Sequence, residues 1–173
     1  MSVIVSDIEI NDAPKIAKWK SDPILAEQIM SSYQVTDVKT AEKWIQKNSN
    51  DSGQWLKGIY YKNEDKYQLV GVARLMFIDE SSANAEFGIY IGDTQFKNKG
   101  IGKKALDLTL KSGFIDLNLE KIYLKVSASN TKAINLYLSR NFEIEGCLKE
   151  HFLNSKNSFE DVLCLALFKK KYI

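Results

Sequence analysis

The chain is poor in the residues that most metal and redox chemistry needs. It has one histidine, His151, and two cysteines, Cys147 and Cys164, among 173 residues. None of them stands at metal-ligand spacing, so zinc lacks a ligand set and no metal is expected. Charge of one sign is also missing. Its 24 basic and 22 acidic residues leave a net charge of +2, which gives no general pull towards nucleic acid or a membrane. No apolar run approaches about 18 residues, and no charged-then-apolar leader opens the sequence. Internal repeats and linkers are absent too. The expectation is a cytoplasmic protein with reduced thiols, residues 1–173 forming one domain of the usual size. The 45% hydrophobic content supplies an ordinary globular core.

What is present concentrates between Gln95 and Lys104. The apolar run Phe87-Gly88-Ile89-Tyr90-Ile91 leads into Lys97-Asn98-Lys99-Gly100-Ile101-Gly102-Lys103-Lys104, and a helical pattern follows. Strand, glycine turn and helix in this order let consecutive N–H groups face one concavity, with the positive end of the helix aimed at the same spot. Four lysines surround it. The physical meaning is a seat for a phosphate or diphosphate. It is not a dinucleotide fingerprint, because the third glycine is missing. It is not a nucleoside-triphosphate loop, because Lys104 rather than Ser or Thr follows Gly102-Lys103.

The rest of the chain reads in order as follows. Residues 3–10 form a first strand. Asn11-Asp12-Ala13-Pro14 starts a helix with Asp12 as its cap. Ser21-Asp22-Pro23 breaks it, and a short helix covers Ile24 to Met30. Ser31 to Val38 is loop, and a third helix spans Thr40 to Lys47, capped by Asp37 or Thr40. Three strand-like runs, Trp55 to Lys62, Tyr67 to Ile78 and Ala85 to Gly92, are joined by short polar turns and make an antiparallel meander. A long helix runs from Gly100 to Leu117 with a wide apolar stripe. A strand covers Ile122 to Val126. Ser129 or Asn130 caps a helix ending near Arg140. Phe142 to Leu153 and Phe159 to Phe168 close the chain as an antiparallel pair. A symmetric hairpin there sets Cys147 opposite Cys164 as a reduced pair. Lys169-Lys170-Lys171 reads as a solvated strand end.

Two stretches together carry a family resemblance. Lys97 to Gly102 is similar to the motif Gln/Arg-x-x-Gly-x-Gly/Ala. Asn130 to Phe142 is similar to Asn-x-x-Ala-x-x-Leu-Tyr followed by Gly-Phe. The combination resembles the GNAT superfamily of acetyl-coenzyme A-dependent N-acetyltransferases, over essentially the whole chain. Ala85 to Gly92, Glu145 to His151 and Trp19 to Pro23 look like the ribosomal-protein N-terminal acetyltransferase branch; spermidine and nucleotide-linked amino-sugar acetyltransferases are similar over the same stretches. Lys97 stands where the family has Gln or Arg, and can meet phosphate as a point charge without the arginine fork. Asn141 stands in place of Gly, and asparagine tolerates left-handed geometry.

The resemblance implies an α/β GNAT fold: a mixed, mostly antiparallel sheet of six to seven strands with helices on both faces. It implies acetyl-coenzyme A as cosubstrate, with its diphosphate on the N–H groups of Asn98, Lys99, Gly100, Ile101, Gly102 and Lys103, beside Lys97 and Lys132. The pantetheine arm would lie along the strand at Ile89 and Ile91, with Asn130 touching it, and the strands Ile89–Ile91 and Ile122–Val126 would splay apart. Tyr137 matches the tyrosine that protonates the leaving thiolate; on periodicity alone it is a core aromatic. Glu86 is the candidate base, against a plain salt-bridged carboxylate. Alternation puts Glu86, Gly88 and Tyr90 on one sheet face and Phe87, Ile89 and Ile91 on the other.

The acceptor is an amine: a protein N-terminus, a polyamine, a nucleotide-linked amino sugar or an aminoglycoside. Trp19, Tyr33 and Trp55 are candidates to line its pocket, and Asp22 and Glu27 to attract a cationic acceptor. His151 reads more simply as a sheet-surface residue. The different-class alternative is a non-catalytic coenzyme A-binding sensor. The last hairpin offers an edge for homodimer pairing.

Overall fold

The computed structural model describes residues 2–63 and 66–172. A seven-stranded sheet runs through them in the order β1-β2-β3-β4-β5-β7-β6. The strands are β1 (Ser2–Ser6), β2 (Trp55–Asn63), β3 (Lys66–Asp79), β4 (Asn84–Ile91), β5 (Lys121–Ser127), β6 (Glu143–Leu153) and β7 (Phe159–Phe168). Every neighbouring pair is antiparallel except β4 and β5, which run parallel. The fold is that of the GNAT resemblance, at the seven-strand end of the expected range.

Helices cover both faces. On one lie α1 (Ala13–Lys20), α2 (Pro23–Gln28) and α3 (Val38–Ser49). Ile16, Trp19, Ala41 and Ile45 bury against Leu56, Leu69 and Val72 of the sheet. On the other lie α4 (Ile101–Lys111) and α5 (Thr131–Leu138). Here Leu106, Leu110 and Phe114 meet Leu75, Phe87, Ile122 and Leu165. Each fully buried side chain of this size contributes about 1.5–3 kcal/mol.

Local chemistry sets the helix boundaries. The Asp22 carboxylate accepts from the N–H groups of Ile24 at 2.9 Å and Leu25 at 3.3 Å, and Asp37 accepts from Thr40 at 2.7 Å. Asp12 differs from expectation. Its backbone is already helical and its carboxylate accepts from the Tyr60 hydroxyl at 2.7 Å, so a tertiary partner displaces the local cap. The helix expected to reach Leu117 stops at Lys111. A π-turn over Ser112–Asp116 follows, closed by Leu117 N–H donating to the Ser112 carbonyl at 2.9 Å. Gly113 sits in that turn because a Cβ there would lie 2.5 Å from Ile122 Cδ1.

Two expectations at the C-terminal end are corrected. The last hairpin is not symmetric. A bulge between Ile144 and Gly146 sets Cys147 against Leu163 and Cys164 against Gly146, and both thiols are free. The lysines after β7 are not a strand end but a short helix, α6 (Lys169–Tyr172). Tyr172 stacks on Phe114 with ring centres 4.9 Å apart, and Lys171 pairs with Glu143. Asn141 behaves as expected of a glycine substitute, with φ at 62°.

Candidate active site

The glycine turn is built by backbone bonds upstream of it. The N–H groups of Gly92 and Asp93 both donate to the Val70 carbonyl, at 3.0 and 3.2 Å. The Asp93 carboxylate accepts from Gln95 N–H at 3.1 Å, and a tight turn covers Thr94–Phe96. Asn98 and Gly100 then adopt left-handed backbone, φ 63° and 75°, and α4 begins at Ile101. Lys97 N–H donates to Thr94, and Lys104 N–H to Gly100. Between them, each N–H from Asn98 through Lys103 has no acceptor among the described residues. Nothing lies within 4 Å of a Cβ built at Gly100, and a Cβ at Gly102 would just touch Ile91 at 4.0 Å. A run of unclaimed donors around open space, at a helix N-terminus, fits a diphosphate.

The lysines around it differ in what they touch. Lys132 reaches from α5 to the Asn98 side chain. Lys97 Nζ donates to Gln28 of α2 at 3.2 Å, and Lys99 lies 5.3 Å over the Phe96 ring. Asn130 caps α5 by accepting from Ala133 N–H at 3.2 Å, and among the described residues its amide nitrogen remains free to donate to another partner.

Beside the turn the sheet opens. β4 and β5 pair only at Asn84 with Lys121, Ala85 with Ile122 and Glu86 with Tyr123. Beyond that point β4 stays with β3 as far as Ile91, while β5 stays with β7 as far as Ser127. The facing edges at Ile89 and Ile91, and at Leu124 to Ser127, therefore have no strand between them. Alternate backbone groups of β4 point away from β3 into this gap. The splay is a consequence of pairing that no local sequence pattern announces.

Tyr137 and Glu86 flank the start of the gap from opposite faces. Tyr137, 8% exposed, stands edge-on to Phe87 with ring centres 6.1 Å apart and lies 5.6 Å from Phe142. Its hydroxyl has no hydrogen-bond partner among the described residues and is not wholly buried. Burial pushes it up to about 12, so it is a donor throughout the physiological range. Glu86, with its side chain 16% exposed, is bound to Lys125 of β5 at 3.2 Å across the mouth of the gap. The salt-bridged carboxylate reading of Glu86 thus has its partner.

A cleft of about 150 Å³ opens on the Glu86 face, between α1, α2, α3 and the β3–β4 pair. Trp19, Lys20, Trp44, Arg74 and Tyr90 line it. Of the aromatics suggested for this role, Trp19 is present, edge-on to Tyr90 at 6.1 Å; Tyr33 is 51% exposed and Trp55 packs in the core, and neither lines the cleft. The two proposed acidic attractants have structural work instead. Asp22 caps α2, and Glu27 accepts from Ser155 N–H at 3.2 Å and its hydroxyl at 2.7 Å, pinning the β6–β7 turn to α2. His151 is exposed on β6. Arg74, Lys20 and Trp44 escaped the sequence reading. The available signal was Arg74 itself, a lone charge inside the apolar run Leu69 to Met76.

Residues 3–143 match the acetyltransferase (GNAT) domain. The chain belongs to the GNAT acetyltransferases. An N-acetyltransferase of Bacillus licheniformis, p20, is 31% identical over 168 residues, 95% of this chain and 92% of that one. The spermidine N(1)-acetyltransferase of Escherichia coli K12 is 33% identical over 104 residues, 60% of this chain and 54% of that one. The crystal structure of spermidine N-acetyltransferase from Vibrio cholerae with CoA and spermine superposes with a TM-score of 0.88 at 26% identity, over 98% of this chain and 97% of that one. As a GNAT enzyme the chain transfers an acetyl group from acetyl-coenzyme A to an amine. Among the described residues no helix is long and apolar enough to cross a membrane.

Proposed function

We propose that the chain acetylates a small primary amine by direct attack in a ternary complex, with 1–173 acting as one domain. The observation that carries the reading is the run of unclaimed N–H groups from Asn98 to Lys103 beside a sheet gap flanked by Tyr137. When bound, acetyl-coenzyme A supplies an acyl thioester. The amides of Asn98 to Lys103, with Lys132 and Lys97 nearby, hold its diphosphate. The open edge of β4 at Ile89 and Ile91 orients the arm and offers N–H groups where carbonyl oxygen gains charge. Tyr137 donates its proton towards the sulfur from one face. The amine arrives from the other, where Glu86 accepts its proton directly or through one water, sharing its charge with Lys125. No side chain becomes acylated, because neither cysteine lies at the gap.

A small acceptor is favoured over a peptide because the cleft between α1, α2, α3 and the sheet measures only about 150 Å³. Polyamines enter as candidates through the spermidine acetyltransferase relatives. A second reading, a protein N-terminus, draws on the ribosomal-protein-branch resemblance and on an N-alpha-acetyltransferase of Saccharolobus solfataricus, 35% identical over 65 residues. A cytoplasmic setting suits two free thiols. β6, the outer strand of the sheet, leaves one edge for a homodimer. The test is thiol release from acetyl-coenzyme A across a panel of amines and N-terminal peptides. Turnover with small amines is expected. Turnover only with peptides transfers the reading to the second acceptor, and coenzyme A binding without turnover makes the chain a sensor.

A further inference from the structure

The cleft on the acceptor side has the wrong sign for a polycation. Its two charged lining residues are Arg74 and Lys20. Arg74 stands at mid-strand on β3, opposite Gly88, where a Cβ would come within 3.4 Å of Arg74 Nε. Gly88 thus leaves room for the guanidinium above the sheet. Among the described residues Arg74 has no hydrogen bond and no ion pair, although it is partly buried. The nearest carboxylate whose field it feels is Glu86, which Lys125 already occupies at 3.2 Å. Lys20 lies 4.2 Å over the Trp44 ring, a contact that holds the ammonium without neutralising it. Desolvation and the Arg74 charge both pull Lys20 below its usual value, while burial keeps the neighbouring Tyr90 hydroxyl neutral. Among the described residues no carboxylate lines the cleft. Asp22 and Glu27, the nearest acids in sequence, are engaged by backbone and Ser155 groups. A partly buried cation pair with no carboxylate in contact is costly unless something supplies one.

We propose that this cleft binds an oxyanion, a carboxylate or phosphate carried by the acceptor itself, through Arg74 and Lys20. The inference rests on the acetyl-transfer reading for the word acceptor, but the anion site stands on its own geometry. Gly88 and Glu86 are two residues apart on β4, about 7 Å. The anion would therefore be a few bonds from the amine that meets the gap. The acceptor class is a short amino acid or an amino phosphate. A polyamine, the ligand in the Vibrio cholerae structure, would bring more positive charge to the same wall.

The test pairs probes of matched length that differ in the sign of the far end: aminovalerate and aminopropyl phosphate against cadaverine. The expected result is a kcat/KM at least about tenfold higher for an anionic probe, a ratio that collapses in Arg74→Gln and is partly kept in Arg74→Lys. The better of the two anionic probes tells carboxylate from phosphate. A second readout does not need turnover. Trp19 and Trp44 line the cleft, so titration with glutarate or inorganic phosphate should change tryptophan fluorescence saturably, and Arg74→Gln should abolish the change. Anion binding without acetyl transfer keeps the site and sinks the transfer reading. Preference for cadaverine, equal rates for both signs, or a fluorescence response indifferent to Arg74→Gln overturns the proposal while leaving acetyl transfer intact.

Discussion

Replacing Tyr137 by phenylalanine separates chemistry from packing at one atom. The ring keeps its contacts with Phe87 and Phe142, at 6.1 and 5.6 Å. The hydroxyl has no hydrogen-bond partner among the described residues, so its loss leaves no group unsatisfied. Stability should change by about 0.5 kcal/mol or less. The catalytic effect can be sized. General-acid groups contribute about 10²–10⁴-fold. The Tyr137 hydroxyl is pushed up to about 12 by burial, whereas an ordinary thiol titrates near ~8.5. Complete proton transfer to the leaving thiolate is therefore uphill. On the proposed role, Tyr137 would act chiefly as a hydrogen-bond donor while charge develops on sulfur, which places the expected loss in kcat at the low end, about 10²-fold. Steady-state kinetics at saturating acetyl-coenzyme A would read it, with calorimetry of coenzyme A binding expected to stay within about twofold. A kcat within about threefold of the parent enzyme would refute the assignment and return Tyr137 to the core aromatics.

Gly100→Val forces a β-branched residue to φ 75°; the strain of about 1–2 kcal/mol should weaken coenzyme A binding about tenfold by calorimetry, with the acceptor KM unchanged. Gly113→Ala places a methyl 2.5 Å from Ile122 Cδ1, and overpacking should lower stability by about 1–3 kcal/mol in denaturant unfolding. Tyr60, Tyr90 and Tyr137 are all raised above 10.0 by burial. Their folded values exceed their unfolded ones, so the stability linked to them is intact below pH 10 and is lost as pH rises from there through about 12, where Tyr137 ionises. Thermal melts across that window should show Tm falling as pH rises; a Tm that stays level from pH 10 to about 12 would contradict the burial.

Local chemistry made much of this protein readable before folding. Pro23 marked the break between the first two helices, and Asp37 was readable as a cap. Alternation divided Glu86, Gly88 and Tyr90 from Phe87, Ile89 and Ile91, and the packing keeps that division. Gly100 and Gly102 announced a tight turn into a helix. Each of these is decided by neighbours a few residues apart, so the sequence contains its own cause. The remainder depended on partners far along the chain. Tyr60 took the Asp12 carboxylate from its helix end across 48 residues, and Ser155 took Glu27 across 128. A bulge moved Cys147 and Cys164 out of register. The gap between β4 and β5 exists because each strand follows a different neighbour, and the charge of the cleft exists because α1 and β3 bring Lys20 and Arg74 to one wall. Periodicity can say which face a side chain occupies, but only the closed sheet decides what stands opposite it.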